Sequence, residues 1–98
     1  MAEITVPEAG KRYTDEQTLD VREDSEVRQG MIPTALHIPM GQLGARLDEL
    51  DKNRPVIVVC RSGNRSVTVA DALNQAGFTA DTMTGGMIEW QQTGLPIR

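Results

Sequence analysis

The only cysteine of the chain, Cys60, stands between an apolar segment and a loop rich in arginine. The segment over residues 55–59 reads Pro-Val-Ile-Val-Val, and residues 61–66 read Arg-Ser-Gly-Asn-Arg-Ser. The first pattern predicts a buried strand, and the periodic segment after the loop predicts a helix. The N–H groups of the loop should therefore converge on a concavity that binds anions, with Cys60 at its mouth.

The surroundings of Cys60 predict a reactive thiolate. Arg61, Arg65 and the start of the following helix should all lower the pKa of the thiol from its ordinary value of about 8.5. The alternative is a structural cysteine buried at the end of a Val-rich strand, which is common for this residue type. That alternative is disfavoured because two buried arginines would need partners and Gly63 permits a positive φ.

Composition limits the classes of function. The chain has 98 residues, 39% hydrophobic and 24% charged, so we expect one domain over residues 1–98. A net charge of −4 and an aromatic content of 3% exclude a nucleic-acid partner, which would need clustered basic and aromatic side chains. The arginines next to Cys60 form a positive site on a protein that is otherwise negatively charged, which favours a small anion as substrate.

The cellular compartment is predicted from the same counts. A single cysteine cannot form an intramolecular disulfide, which is typical of a reducing compartment. The first residues contain no basic segment leading into an apolar one, and no apolar run approaches the roughly 20 residues that span a bilayer. We therefore expect a cytoplasmic protein without membrane contact.

Strands and helices should alternate along the chain. Strands are predicted over residues 4–6, 18–22, 36–38, 56–59 and 80–84, and helices over residues 40–50, 66–76 and 87–93, with a helical turn at 24–28. This order predicts a single α/β domain with a mostly parallel sheet of four to five strands, flanked by helices on both faces.

The carboxyl ends of parallel strands meet at one edge of a sheet, and ligands bind there. The loops gathered at that edge should be residues 20–24, 37–40, 60–65 and 84–87. The predicted wall of the pocket around Cys60 is Asp20, Arg22, Met40, the backbone of residues 61–65, Gly85 and Gly86.

Four segments together resemble a known family, the single-domain rhodanese, a sulfurtransferase domain. They are Leu19-Asp20-Val21-Arg22-Glu23, residues 30–35, the loop from Cys60 to Ser66, and a C-terminal portion with Gly85-Gly86-Met87, Trp90 and Gly94-Leu95-Pro96. Within residues 30–35, Met31 and Thr34 replace the His and Gly that are usual in the family.

The resemblance implies a persulfide mechanism without metal or other cofactor. Cys60 would take the outer sulfur of a small anionic donor such as thiosulfate and pass it to an acceptor: cyanide, glutathione, thioredoxin or a partner protein. The implied substrate-binding residues are Arg61, Ser62, Gly63, Asn64 and Arg65, through backbone N–H groups and through the two guanidiniums. The implied supporting residues are Asp20, Arg22, Ser66, Gly85 and Gly86.

Two alternatives to a sulfurtransferase use a cysteine in such a loop. Cysteine-dependent phosphatases use Cys-x5-Arg, whereas Arg65 makes this loop Cys-x4-Arg, so phosphatase and arsenate reductase chemistry are disfavoured. A sulfur carrier or regulatory interaction module would use the same pocket without turnover. Sequence alone leaves this second alternative open, and the natural donor and acceptor with it.

Overall fold

A computed structural model describes residues 2–98 and contains one sheet of five parallel strands. The strands are β1 (Ala2–Ile4), β2 (Gln17–Asp20), β3 (Leu36–His37), β4 (Val56–Val59) and β5 (Ala80–Met83). Their order across the sheet is β1-β5-β4-β2-β3, which places β4 at the centre. This arrangement confirms the predicted α/β class and the parallel sheet.

Helices connect the strands. They are α1 (Val6–Arg12), α2 (Asp24–Val27), α3 (Leu43–Arg46), α4 (Asn64–Gln75) and α5 (Gly86–Gln92), with 3₁₀ turns at Met40–Gln42 and Leu47–Glu49 on either side of α3. Across residues 2–98, none of these helices combines the length and hydrophobicity needed to cross a membrane.

The central strand β4 explains why both faces of the sheet are covered. Val56 and Val58 point to one core layer, which includes Leu73 of α4, while Ile57 and Val59 point to a second layer built largely from α1 and α5. All four strand residues are fully buried. An uninterrupted apolar strand is stable only between two such layers, so the sequence of β4 requires helices on both sides.

The first predicted strand is wrong by two residues, because β1 ends at Ile4 rather than at Val6. Thr5 instead caps α1: its hydroxyl accepts the N–H of Glu8 at 3.1 Å, and the Glu8 carboxylate accepts the N–H of Thr5 at 3.1 Å. This reciprocal pair satisfies two N–H groups that a helix start leaves free. The chain therefore turns into the helix at the residue that was expected to continue the strand.

The predicted helix over residues 40–50 is also wrong as one continuous element. The segment is a 3₁₀ turn, the single α-helical turn α3 and a second 3₁₀ turn. Gly41 and Gly44 lower its helix propensity. The apolar stripe that suggested a helix still packs inward, since Leu43 and Leu50 are buried against the β4 and α4 layer.

Gly86 lets α5 approach the loop after β4. The N–H groups of Met87 and Ile88 donate to the carbonyls of Cys60 and Arg61 at 2.9 and 3.0 Å. A Cβ on Gly86 would lie 2.4 Å from the Arg61 carbonyl oxygen, and its φ is +60°. Only glycine permits this contact, so Gly86 ties the start of α5 to the cysteine loop.

We expect Gly86→Ala to lower the free energy of unfolding by about 3 kcal/mol, because the new methyl group must displace backbone. The matched control is Gly44→Ala in α3, where a Cβ meets nothing within 4 Å. That change should raise stability by roughly 0.5 kcal/mol, since alanine favours the helix. Urea unfolding measures both, and a Gly86→Ala protein as stable as the wild type would contradict the assigned close approach.

Candidate active site

Cys60 follows the last residue of β4, and its side chain lies beneath the loop over residues 61–65. Only 1% of the residue is exposed. The sequence placed Cys60 at the mouth of a concavity, whereas the structure buries its side chain in the core layer on the α4 side of the sheet. The reason is the alternation of β4, which points Cys60 into the same core layer as Val58.

Three donors surround the sulfur. The N–H of Gly63 donates to Sγ at 3.1 Å, the N–H of Ser66 at 3.4 Å, and Ser66 Oγ lies 3.5 Å from Sγ. Gly63 has φ +107°, a left-handed conformation that turns the loop over the sulfur and into α4. Because α4 begins at Asn64, the N–H of Ser66 belongs to its first turn and has no partner within the helix.

These contacts decide the ionisation of the thiol. Burial raises the pKa of Cys60, but hydrogen bonds from the Ser66 hydroxyl and from the N–H groups of Ser66, Gly63 and Ser62 outweigh it, so the pKa is lowered. The predicted lowering is confirmed. The largest causes of the lowering are these hydrogen bonds. The charges of Arg65 and the Cys60 thiolate also attract each other, although Glu26 is the stronger partner of Arg65.

Arg65 is held by a residue that the sequence analysis missed. Its two terminal nitrogens donate to the two carboxylate oxygens of Glu26 in α2, both at 2.7 Å. The bonds from Arg65 lower the pKa of Glu26 to about 2, so the carboxylate stays charged. Arg65 was predicted to orient an anionic donor directly, but here its charge is compensated by Glu26.

Asp20 and Arg22 form a second, fully buried ion pair. They are 0% and 4% exposed, and Arg22 donates through Nε and Nη2 to both carboxylate oxygens of Asp20 at 2.7 to 3.1 Å. Arg22 Nη2 also donates to the Gly30 carbonyl at 2.9 Å. The pair therefore ties the end of β2 to the segment after α2.

Thr82 is a further residue that sequence reasoning did not identify. It lies on β5, is 1% exposed, and its hydroxyl is hydrogen-bonded to Ser66 Oγ. Ser66 Oγ also lies 3.0 Å from the Gly63 carbonyl. A donated proton from Thr82 leaves the Ser66 proton free for the thiolate or for that carbonyl, so Thr82 can orient the Ser66 hydroxyl beneath Sγ.

The remaining predicted residues divide into two groups. Arg61, Ser62 and Asn64 lie on the loop with exposed side chains, and Gly85 and Gly86 pack against its backbone. Met40 is not brought to the site: it lines a separate apolar groove between α3 and α4. Within the described part of the chain, residues 2–98, no three His, Cys, Asp or Glu side chains are grouped to hold a metal ion.

Comparison with known proteins identifies the family. A family model described as a rhodanese-like domain matches residues 5–93. The chain therefore belongs to the rhodanese-like domain family, as its sequence motifs suggested.

Individual relatives agree along most of the chain. YtwF of Bacillus subtilis, provisionally named a sulfurtransferase, is 45% identical over 78 residues, which cover 80% of this chain and 76% of that protein. A protein of Allochromatium vinosum named sulfurtransferase is 38% identical over 99 residues, with coverages of 97% and 92%. The crystal structure of a rhodanese-related protein from Thermoplasma volcanium superposes with a TM-score of 0.95 at 28% identity, covering 100% of this chain and 98% of that one.

We expect Thr82→Val to raise the pKa of Cys60, because the Ser66 hydroxyl loses the partner that orients it. The rate of iodoacetamide alkylation as a function of pH measures this pKa, and Thr82→Ser should restore the wild-type profile. The matched control is Thr18→Val, since Thr18 is buried on β2, which β4 separates from β5, and its hydroxyl has no hydrogen-bond partner within residues 2–98. If the alkylation rate depends on pH in the same way in Thr82→Val and Thr18→Val, Thr82 does not orient the Ser66 hydroxyl toward Cys60.

We expect Glu26→Gln to lower the pKa of Cys60 further, because Arg65 would keep its charge without a compensating carboxylate.

Glu26→Gln should also change the unfolding of the protein at acid pH. The ordinary pKa of Glu26 is 4.5 and its folded pKa is about 2. Its contribution to stability is therefore complete above pH 4.5 and is lost as the pH falls toward 2. The free energy of unfolding of the variant should therefore fall less than that of the wild type between pH 4.5 and 2. The same pH dependence in both proteins would show that the ion pair does not stabilise the fold.

Proposed function

We propose that this protein is a sulfurtransferase that carries a sulfane sulfur on Cys60, its domain spanning residues 1–98. The Cys60 thiolate attacks the outer sulfur of thiosulfate, and the S–S bond of the donor breaks with its electron pair leaving on sulfite. Cys60 then holds a persulfide. An acceptor thiolate, or cyanide, attacks the outer sulfur and forms a bond to it. The bond between this sulfur and Cys60 Sγ breaks, and its electron pair stays on Cys60 as thiolate.

The observation that carries this proposal is a thiol that is at once buried and surrounded by donors. A nucleophile that is 1% exposed is reached only by a narrow, terminal atom. The outer sulfur of thiosulfate or of a persulfide is such an atom, whereas a phosphoryl group carries three oxygens around the phosphorus. The geometry therefore favours sulfur transfer over phosphoryl transfer, in line with the Cys-x4-Arg spacing.

The loop residues have distinct roles in the proposed reaction. The N–H groups of Ser62, Gly63 and Ser66 are directed at Sγ. The N–H groups of residues 61–65 would stabilise the negative charge on the transferred sulfur. No general base is needed, because the lowered pKa of Cys60 favours the thiolate, which is itself the nucleophile. Glu26 restrains Arg65, and so Arg61 remains as the exposed guanidinium that attracts an anionic donor.

A non-enzymatic sulfur carrier is the second candidate. A single cysteine cannot release its persulfide as an intramolecular disulfide, so the sulfur has to leave to an external acceptor. This holds for a carrier and for an enzyme alike. The two differ in turnover with small acceptors, which an enzyme supports and a dedicated carrier does not.

Intact mass spectrometry after incubation with thiosulfate tests the proposal. We expect a gain of about 32 Da, one sulfur atom, which cyanide removes. Cys60→Ser, checked for its fold by circular dichroism, should show no gain. Repeated turnover of thiosulfate with cyanide would select the enzyme over the carrier. A gain in Cys60→Ser, or none in the wild type with either thiosulfate or an organic persulfide, would contradict the mechanism.

A further inference from the structure

His37, the only histidine of the chain, lies at the end of β3 and is bonded to the loop that precedes α2. Its Nε2 atom is 2.7 Å from the carbonyl oxygen of Arg22. A carbonyl oxygen only accepts hydrogen bonds, so Nε2 carries the proton and donates it. The other ring nitrogen, Nδ1, is 3.8 Å from the Asp24 carboxylate, which is beyond hydrogen-bond distance.

The peptide group between Arg22 and Glu23 is bonded on both of its sides. Its carbonyl accepts from His37, and its N–H donates to Glu26 Oε1 at 2.9 Å. The peptide is trans and planar, so the carbonyl and the N–H point in opposite directions and cannot turn independently. Because His37 fixes the carbonyl, it also fixes the direction of the N–H that meets the Glu26 carboxylate.

The same carboxylate oxygen binds Arg65. Arg65 Nη1 donates to Glu26 Oε1 at 2.7 Å, so this oxygen accepts from both Arg65 and the Glu23 N–H. The hydrogen bonds from Arg65 and from the Glu23 N–H both lower the pKa of Glu26. The charges of Arg65 and the Cys60 thiolate attract each other. A continuous chain of hydrogen bonds therefore connects His37 to a charge that acts on the nucleophile.

His37 makes the one contact in this segment that depends on a side chain. The carbonyls of Asp20 and Val21 accept backbone N–H groups, from Ile38 at 3.0 Å and from Met40 at 3.1 Å. Those two bonds form with almost any sequence, whereas the Arg22 carbonyl needs a donor at the position of Nε2. The His37 side chain is 20% exposed, so water has limited access to replace that donor.

We propose that His37 is a positioning residue of the active site: its Nε2–H orients the peptide between Arg22 and Glu23, which holds the Glu26 carboxylate on Arg65. His37 thereby sets how completely the charge of Arg65 is compensated beside Cys60. The importance of this control for catalysis rests on the proposed function, in which the Cys60 thiolate is the nucleophile.

Two substitutions separate the position of the donor from the presence of the ring. Glutamine places an amide N–H close to the position of Nε2, and asparagine places it close to Nδ1. Both variants are compared in the wild-type and Glu26→Gln backgrounds by the pH dependence of iodoacetamide alkylation. The matched control is Leu36→Ala, which loosens the neighbouring position of β3, a partly buried residue of the core, without touching the peptide.

We expect His37→Asn to raise the alkylation rate about twofold at one pH unit below the wild-type pKa of Cys60, because Glu26 then compensates Arg65 less completely. His37→Gln should keep the wild-type rate. In the Glu26→Gln background, His37→Asn should have no further effect, since the chain of hydrogen bonds is already broken at Glu26. Leu36→Ala should lower stability and leave the rate unchanged.

A second measurement needs no variant. Proton–nitrogen NMR of the imidazole in the folded wild type, at about pH 8, should show the proton of the neutral ring on Nε2. A proton on Nδ1 would overturn the proposal. So would a wild-type alkylation rate in His37→Asn, the same rise in His37→Gln or Leu36→Ala, or an undiminished effect of His37→Asn in the Glu26→Gln background.

These measurements use no sulfur donor, so their failure is distinct from failure of the proposed function. A protein that gains no sulfur from thiosulfate or an organic persulfide contradicts the sulfurtransferase mechanism. A protein that gains sulfur normally, and whose Cys60 ionises without regard to residue 37, contradicts only the role of His37.

Discussion

A negative charge on a buried sulfur must be stabilised by nearby donors, and the rest of the site follows from this requirement. Cys60 is 1% exposed at the end of a strand that is buried on both faces. Burying an ionised group without partners is strongly unfavourable. The loop meets the requirement by directing the N–H groups of Gly63 and Ser66 at Sγ, so the thiolate is stabilised by backbone that the start of α4 leaves unpaired.

The surrounding elements hold that loop in place. From below, Thr82 contacts the Ser66 hydroxyl; from one side, α5 binds the carbonyls of Cys60 and Arg61 through a contact that only Gly86 allows. From the other side, Glu26 binds Arg65. Rigid, preorganised donors act on a reacting charge without reorganising during the reaction. Arg22 and Arg65 are compensated by Asp20 and Glu26, whereas the exposed Arg61 makes no ion pair within residues 2–98.

Local sequence predicted the parts of the structure that depend on local patterns. The strand β4 was predicted at its observed bounds because four consecutive β-branched residues have few alternatives. The family resemblance was correct because each of its four segments is a short motif of neighbouring residues that can be identified without knowing the fold. The segment over residues 40–50 was predicted wrongly because its leucine spacing fits a helix while Gly41 and Gly44 weaken one. Contacts between distant residues were not predictable: Glu26 and Arg65 are 39 positions apart, and Ser66 and Thr82 are 16 apart.

The central claim, a thiolate stabilised mainly by hydrogen bonds from the loop, is tested most directly by titrating Cys60 in the folded wild-type protein. The ultraviolet absorbance of the thiolate is followed against pH, with Cys60→Ser as the blank. The account predicts one transition below the ordinary thiol pKa of about 8.5, and the same transition at low and high salt, because hydrogen bonds within the loop are not screened. A transition at or above the ordinary value would contradict the account, as would a low pKa that rises sharply with added salt.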